Sequence, residues 1–100
     1  MIKNIKKRDG REVPFNLEKI ANAIFKAAQA AGGQDYDISL GLAEDVADYL
    51  DEKYHNDIPE VEDIQDAVEK ILIESGHAKT AKEFILYRAE RTRVREMNTR

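Results

Sequence analysis

Apolar positions recur at helical spacing four times along this chain, and the residues ahead of the first recurrence read differently. Leu17, Ile20, Ile24, Ala27, Ala28 and Ala31 follow one another mostly at steps of three and four, which predicts a helix from Leu17 to about Ala31 that Gly32-Gly33 ends. After a connecting loop over 34–38, a second face runs through Leu42, Val46, Tyr49 and Leu50 toward Tyr54, with Ser39 or Asp37 as its cap. Val61, Ile64, Val68, Ile71 and Leu72 form a third stripe, preceded by Glu60, a mediocre cap, and stopped by Gly76. The fourth helix starts near Ala78 and continues beyond Val94. Ala81, Phe84, Ile85 and Arg88 lie on one side of it, and Leu86, Tyr87 and Ala89 thicken its apolar part.

The first fifteen residues predict a hairpin. Ile2 to Arg8 and Arg11 to Phe15 have strand lengths and flank Asp9-Gly10, a pair suited to a two-residue type I′ turn. Pro14 lacks an N–H and belongs at a strand edge or end, which places the exit to the first helix at Phe15. Asn16 then caps that helix through the N–H of Glu18 or Lys19, and Phe15 and Ile20 occupy the positions of a hydrophobic staple. Around His55 to Pro59 the backbone is pushed out of the helical region, and a third strand of two or three residues fits there. Four amphipathic helices with a small sheet predict an α+β fold, a helical bundle capped at one end by strands.

Bulk composition narrows the function classes. One hundred residues with 42% hydrophobic content make one compact domain with a single core, cramped for an enzyme with a deep site. The chain has no cysteine, hence no disulfide, thiolate metal site or cysteine radical chemistry of its own, and His55 and His77 lack a metal-ligand spacing. No apolar run has membrane-spanning length and the N-terminus has no signal-peptide stretch, so the expected location is cytoplasmic. The net charge of −4 argues against a general nucleic-acid binder, but it hides a segregation. Residues 1–19 carry six basic and three acidic side chains, residues 35–74 two basic and fourteen acidic, and residues 77–100 seven basic and three acidic. Asp45, Asp48, Asp51 and Glu52 in the acidic middle share a polar helix face and read as solvated rather than as an acid–base pair.

Candidate chemistry gathers at the hairpin. Lys19 falls in the first turn of a helix, where the dipole disfavours a cation unless an anion is near. Lys7 and Arg8 stand at the hairpin's end, and the unpaired N–H groups of the helix start face the same corner. These residues fit either a phosphate site or a solvated basic hairpin with a snorkelling lysine. The usual phosphate loops, Gly-x-x-x-x-Gly-Lys-Ser/Thr and Gly-x-Gly-x-x-Gly, are missing, so any such site must use the hairpin and helix ends.

Ile5-x-Lys7-Arg8-Asp9-Gly10-Arg11 followed by Phe15-Asn16-x-x-Lys19-Ile20 resembles the opening motif of the ATP-cone, the regulatory domain at the N-terminus of many ribonucleotide reductases. Val61 to Glu69 is similar to that family's third helix, and Ala81 to Arg88 with Arg91 to its fourth, so the resemblance covers nearly the whole chain. It implies a four-helix bundle covered by a three-stranded mixed sheet, with ATP or dATP bound beneath the hairpin together with Mg2+. By the same resemblance Lys7 and Arg8 hold the triphosphate, Asn16 and Lys19 reach phosphate or ribose, and Ile5 walls the adenine pocket. Val61 and Gln65 lie beside the nucleotide, and Arg88 and Arg91 bring basic charge from helix four. Asn16 also reads as an N-cap, Ile5 and Val61 as core, and Gln65 as surface. Glu60 and Gln65 depart from relatives that have Ser or Thr and His there.

The implied role is allosteric and not itself catalytic. Residues 1–96 would form a nucleotide sensor and 97–100 the start of a linker to a reductase catalytic domain, most similar to the anaerobic ribonucleoside-triphosphate enzymes, with self-association through the cones and no membrane or nucleic-acid partner. The alternative is a basic-ended helical module that binds nucleic acid or protein, like the cone of a nucleotide-responsive transcriptional repressor. That repressor's cone follows a zinc ribbon, for which this chain lacks cysteines.

Overall fold

Two short strands open the chain, β1 (Asn4–Lys6) and β2 (Glu12–Pro14), paired antiparallel with Asn4 opposite Pro14, Ile5 opposite Val13 and Lys6 opposite Glu12. The computed structural model describes residues 2–55 and 57–97, without the side chains of residues 92 and 95–97. The register sets Lys7 opposite Arg11, whose carbonyl accepts the Lys7 N–H at 2.8 Å, so Arg8, Asp9 and Gly10 form a three-residue loop. This corrects the expected two-residue type I′ turn. Such a turn needs positive φ at Asp9, and only glycines take positive φ among the described residues, Gly10 with 89°. Asp9 instead turns its carboxylate onto the next strand, Oδ1 accepting from the Arg11 N–H at 3.0 Å and Oδ2 from Arg11 Nε at 2.7 Å.

The sheet has two strands among the described residues, not the three expected. What stands in place of the third is one parallel bridge between Lys6 and Glu60, with the Lys6 N–H donating to the Pro59 carbonyl at 2.9 Å. Pro59 has no N–H to return, and the chain enters helix one residue after Glu60, so the ladder cannot extend.

The helices are α1 (Leu17–Ala30), α2 (Tyr36–Lys53), α3 (Val61–Glu74) and α4 (Ala78–Met97). Asn16 caps α1 as expected, its side chain accepting from the Glu18 N–H at 3.0 Å. The start of α2 is earlier than the pattern suggested. Asp35 is its cap, accepting from Asp37 N at 2.9 Å, which frees Ser39 to be buried in the helix, and Tyr36 meets the Phe25 ring edge-on at 5.4 Å. Helix α3 ends in a Schellman turn: His77 N donates to Leu72 O at 2.8 Å and Gly76 N to Ile73 O, with Gly76 at φ 82°. That turn reverses the chain and lays α4 back along α3.

Ile20, Ala21, Ile24, Ala27, Leu42, Ala43, Val46, Leu50, Ile64, Ala67, Val68, Leu72, Ala81 and Phe84 form one core between the helices, and Ile2 joins it from the hairpin. The fully buried Ala21 and Ala43 let α1 and α2 approach closely. Helix α4 lies against α1 and α3. Its apolar stripe is narrower than expected, because Ile85, Leu86 and Tyr87 are 41%, 54% and 40% exposed on the side away from those helices. Of the expected linker start at 97–100, Met97 ends α4 and residues 98–100 lie outside the described residues.

Candidate functional site

The hairpin is held over the open ends of α1 and α3. Phe15 N donates to Lys3 O at 2.8 Å where β2 runs into α1, and the Lys6–Pro59 bond fastens β1 to the start of α3. Cavities open on both sides of this junction. One, of about 760 Å³, lies between β2 and the first turn of α1 and is lined by Lys7, Val13, Pro14, Phe15, Asn16, Leu17, Glu18, Lys19 and Leu40. The other, of about 330 Å³, lies between the hairpin loop and α3 and is lined by Lys6, Lys7, Arg8, Gly10, Glu60, Val61 and Glu62. Lys7 borders both, so the two cavities meet at one corner, where Lys6, Lys7, Arg8 and Lys19 stand beside Glu18, Glu60 and Glu62.

The cations there differ in their partners. Lys7 and Lys19 make no ion pair among the described residues, although the first turn of α1 gives Lys19 no electrostatic support. Arg8 meets Glu62 of α3, Nε to Oε1 at 3.1 Å. Arg11 is turned to Asp9, and its backbone N–H, against a burial cost, together with its guanidinium pulls the Asp9 carboxyl below the ordinary aspartate range. Asn16 spends Oδ1 on the cap and keeps its amide nitrogen as a donor. Ile5 is half-buried against the core, as its strand position requires.

Val61 and Gln65 are one helical turn apart and share a face of α3. Gln65 Oε1 is buried and has no hydrogen-bond donor, an acceptor that calls for a partner from outside the described residues. Arg88 lines neither cavity. It is bound to Asp66 of α3 at 2.8 Å and to Glu69, and although burial opposes its charge, those two carboxylates raise its pKa overall. Arg91 packs beside the Tyr87 ring, 5.8 Å from its centroid, and also lines neither cavity.

Even so, α4 carries Arg91 toward the corner. His77 and Thr80 share a cavity with Ala28 and Gly33, which sets the start of α4 beside the end of α1. At about 1.5 Å per residue, α4 then returns along α1 and α3 until Arg91 is level with their first turns. Ala81, Phe84, Arg88 and Arg91 follow at steps of three, four and three along α4, but Arg91 itself is exposed, its guanidinium lying over the exposed Tyr87 ring. Sequence reasoning missed Glu62, whose only signal was the acidic first turn of α3. Among the described residues no group of three or more His, Cys, Asp or Glu side chains is placed to hold a metal ion, and no helix is long and apolar enough to cross a membrane. The corner can bind an anion with an attached polar, partly apolar body.

Comparison with known proteins gives the family. Over 100 residues the chain is 39% identical to the anaerobic ribonucleoside-triphosphate reductase of Salmonella typhimurium, with all of this chain matched to 14% of that protein. It is 37% identical to the Escherichia coli anaerobic enzyme over the same span, again 14% of its length. A vitamin B12-dependent ribonucleoside-diphosphate reductase from Thermoplasma acidophilum is 42% identical over 96% of this chain and 13% of the relative. The chain thus spans a small part of each reductase it matches. Residues 3–93 match the ATP cone domain family, and with the basic hairpin set over two helix starts, this chain belongs to the ATP-cone domains.

Proposed function

We propose that this domain binds ATP or dATP at the hairpin corner and reports the nucleotide to a reductase catalytic domain attached beyond α4. The observation that carries the reading is that Lys7 and Lys19, from β-hairpin and α1, line one cavity without an ion-pair partner among the described residues. Cations that converge on one cavity without an ion pair among the described residues favour an anionic ligand. A triphosphate carries close to four negative charges, which Lys7, Lys19 and Arg8 meet from the hairpin side and Arg91 from α4. Ile5 and Val61 offer apolar walls for the base. Gln65 Oε1 and the Asn16 amide are an acceptor and a donor suited to the ribose hydroxyls. Mg2+ would accompany the phosphates and relieve their charge beside Glu60 and Glu62. Arg88 acts one step back, fixing α3 against α4.

The enzyme controlled is a ribonucleotide reductase of the anaerobic, triphosphate-reducing type, acting in the cytoplasm. Residues 1–96 form the sensor, the following residues the link, and contacts between cones transmit the signal. Isothermal titration of the domain with ATP, dATP, GTP and a short DNA duplex tests the binding. Heat for ATP and dATP well above that for GTP is expected. Equal or absent heat for ATP and GTP, or binding to the duplex alone with a steep fall in salt, would replace the nucleotide sensor with the basic-ended binding module.

A further inference from the structure

The carboxylate facing Arg8 has no other described task. In the first turn of α3, Asp63 accepts the Glu60 N–H at 2.9 Å, while Glu62 reaches across to Arg8 and lines the same 330 Å³ cavity. Both side chains are partly exposed, 46% for Arg8 and 37% for Glu62, so the pair is weak and exchangeable. We propose that Glu62 is an internal competitor for the nucleotide's phosphates, a tethered anion that neutralises Arg8 when the corner is empty; this rests on the nucleotide reading above. A phosphate approaching Arg8 must displace the Glu62 carboxylate or lie beside it, and either alternative weakens binding. The tether is permanent, so its effective concentration does not fall when free anions are scarce. Weakly charged anions fail to displace it, and the site is reserved for ligands with several phosphates. Displacement also cuts a link between hairpin loop and α3, while the Lys6–Pro59 bond still ties β1 to the start of α3.

The test compares ATP binding, by isothermal titration at one fixed salt concentration, for the wild-type domain, Glu62→Gln, Arg8→Gln, the double variant, and Asp48→Asn as a distant acidic control. Glu62→Gln is expected to tighten ATP about three- to tenfold, the scale of one exposed ion pair plus a relieved repulsion. Asp48→Asn is expected to leave it unchanged. In the Arg8→Gln background the gain from Glu62→Gln should shrink to less than half, because the competitor acts through Arg8. Melting curves on each variant confirm a folded domain, and inorganic tripolyphosphate as a second ligand repeats the comparison without the base. A wild-type domain that binds no ATP would overturn the nucleotide reading and this inference with it. Wild-type binding with no gain in Glu62→Gln, an equal gain in Asp48→Asn, or a gain undiminished without Arg8 would overturn the competitor alone.

Discussion

Lys19 stands where the dipole of α1 is already positive, so removing its charge should help the helix and weaken the ligand at the proposed site. Lys19→Glu is expected to raise the melting temperature slightly, by about 0.3–1 kcal/mol of stability, while weakening ATP at least tenfold, since a charge-assisted contact is worth about 1.5–3 kcal/mol. Calorimetry on the free domain and titration with ATP separate the two effects. Gln65 allows a similar separation. Its orphaned Oε1 adds nothing to the empty fold, so Gln65→Leu should melt at the same temperature or higher yet bind ATP about three- to tenfold more weakly. Asp9 concerns pH. Its carboxyl pKa lies below the ordinary aspartate value, so its contact with Arg11 supports the loop in full above about pH 4 and is lost as pH falls through the lowered value. Chemical shifts of Arg11 followed during acid titration should report that loss below the pH at which exposed carboxyls titrate.

Between elements, the firmest polar link described is Arg88 on α4 with Asp66 and Glu69 on α3. Arg88 is 22% exposed and Glu69 23%, so Arg88→Ala leaves a half-buried carboxylate without its cation. After discounting for that exposure, the cost should be about 1–2 kcal/mol, a fall of roughly 5–15 °C in melting temperature for a domain of this size. Thermal denaturation checks it, and Arg88→Lys should recover only part of the loss because one ammonium replaces a fork of donors. Helix existence and helix stops were legible in the sequence. Asn16, Gly32 and Gly76 act on neighbours within a few residues, and the periodic apolar faces carry the same information as the buried positions. The start of α2 was less legible: Ser39 or Asp37 was the expected cap, whereas Asp35 caps the helix and adds a first turn in which Tyr36 meets Phe25.

Across the whole molecule, the antiparallel return of α4 is what would let two basic ends of an acidic chain serve one ligand, as the proposed function requires. Arg91→Glu should weaken ATP about tenfold without lowering the melting temperature, because Arg91 makes no ion pair with another element among the described residues. Titration of that variant checks the return directly. An ATP affinity equal to wild type would confine the site to the hairpin, α1 and α3.

By itself the sequence determined the local features: four helices from apolar spacing, their ends from caps and glycines, a hairpin at Asp9-Gly10, and the ATP-cone resemblance from motifs short enough to read in a line. Each depends on residues close together in the chain. The tertiary structure decided the rest. It gave the hairpin a three-residue loop, because Asp9 avoids positive φ when its carboxylate can hold Arg11. It reduced the third strand to one bridge, because Pro59 has no N–H and α3 begins at once. It assigned Arg88 to α3, left Lys7 and Lys19 without ion pairs among the described residues, and set Glu62 against Arg8. Those outcomes depend on which charges meet after the bundle closes, and pairings between residues far apart in sequence carry no periodic signal along the chain.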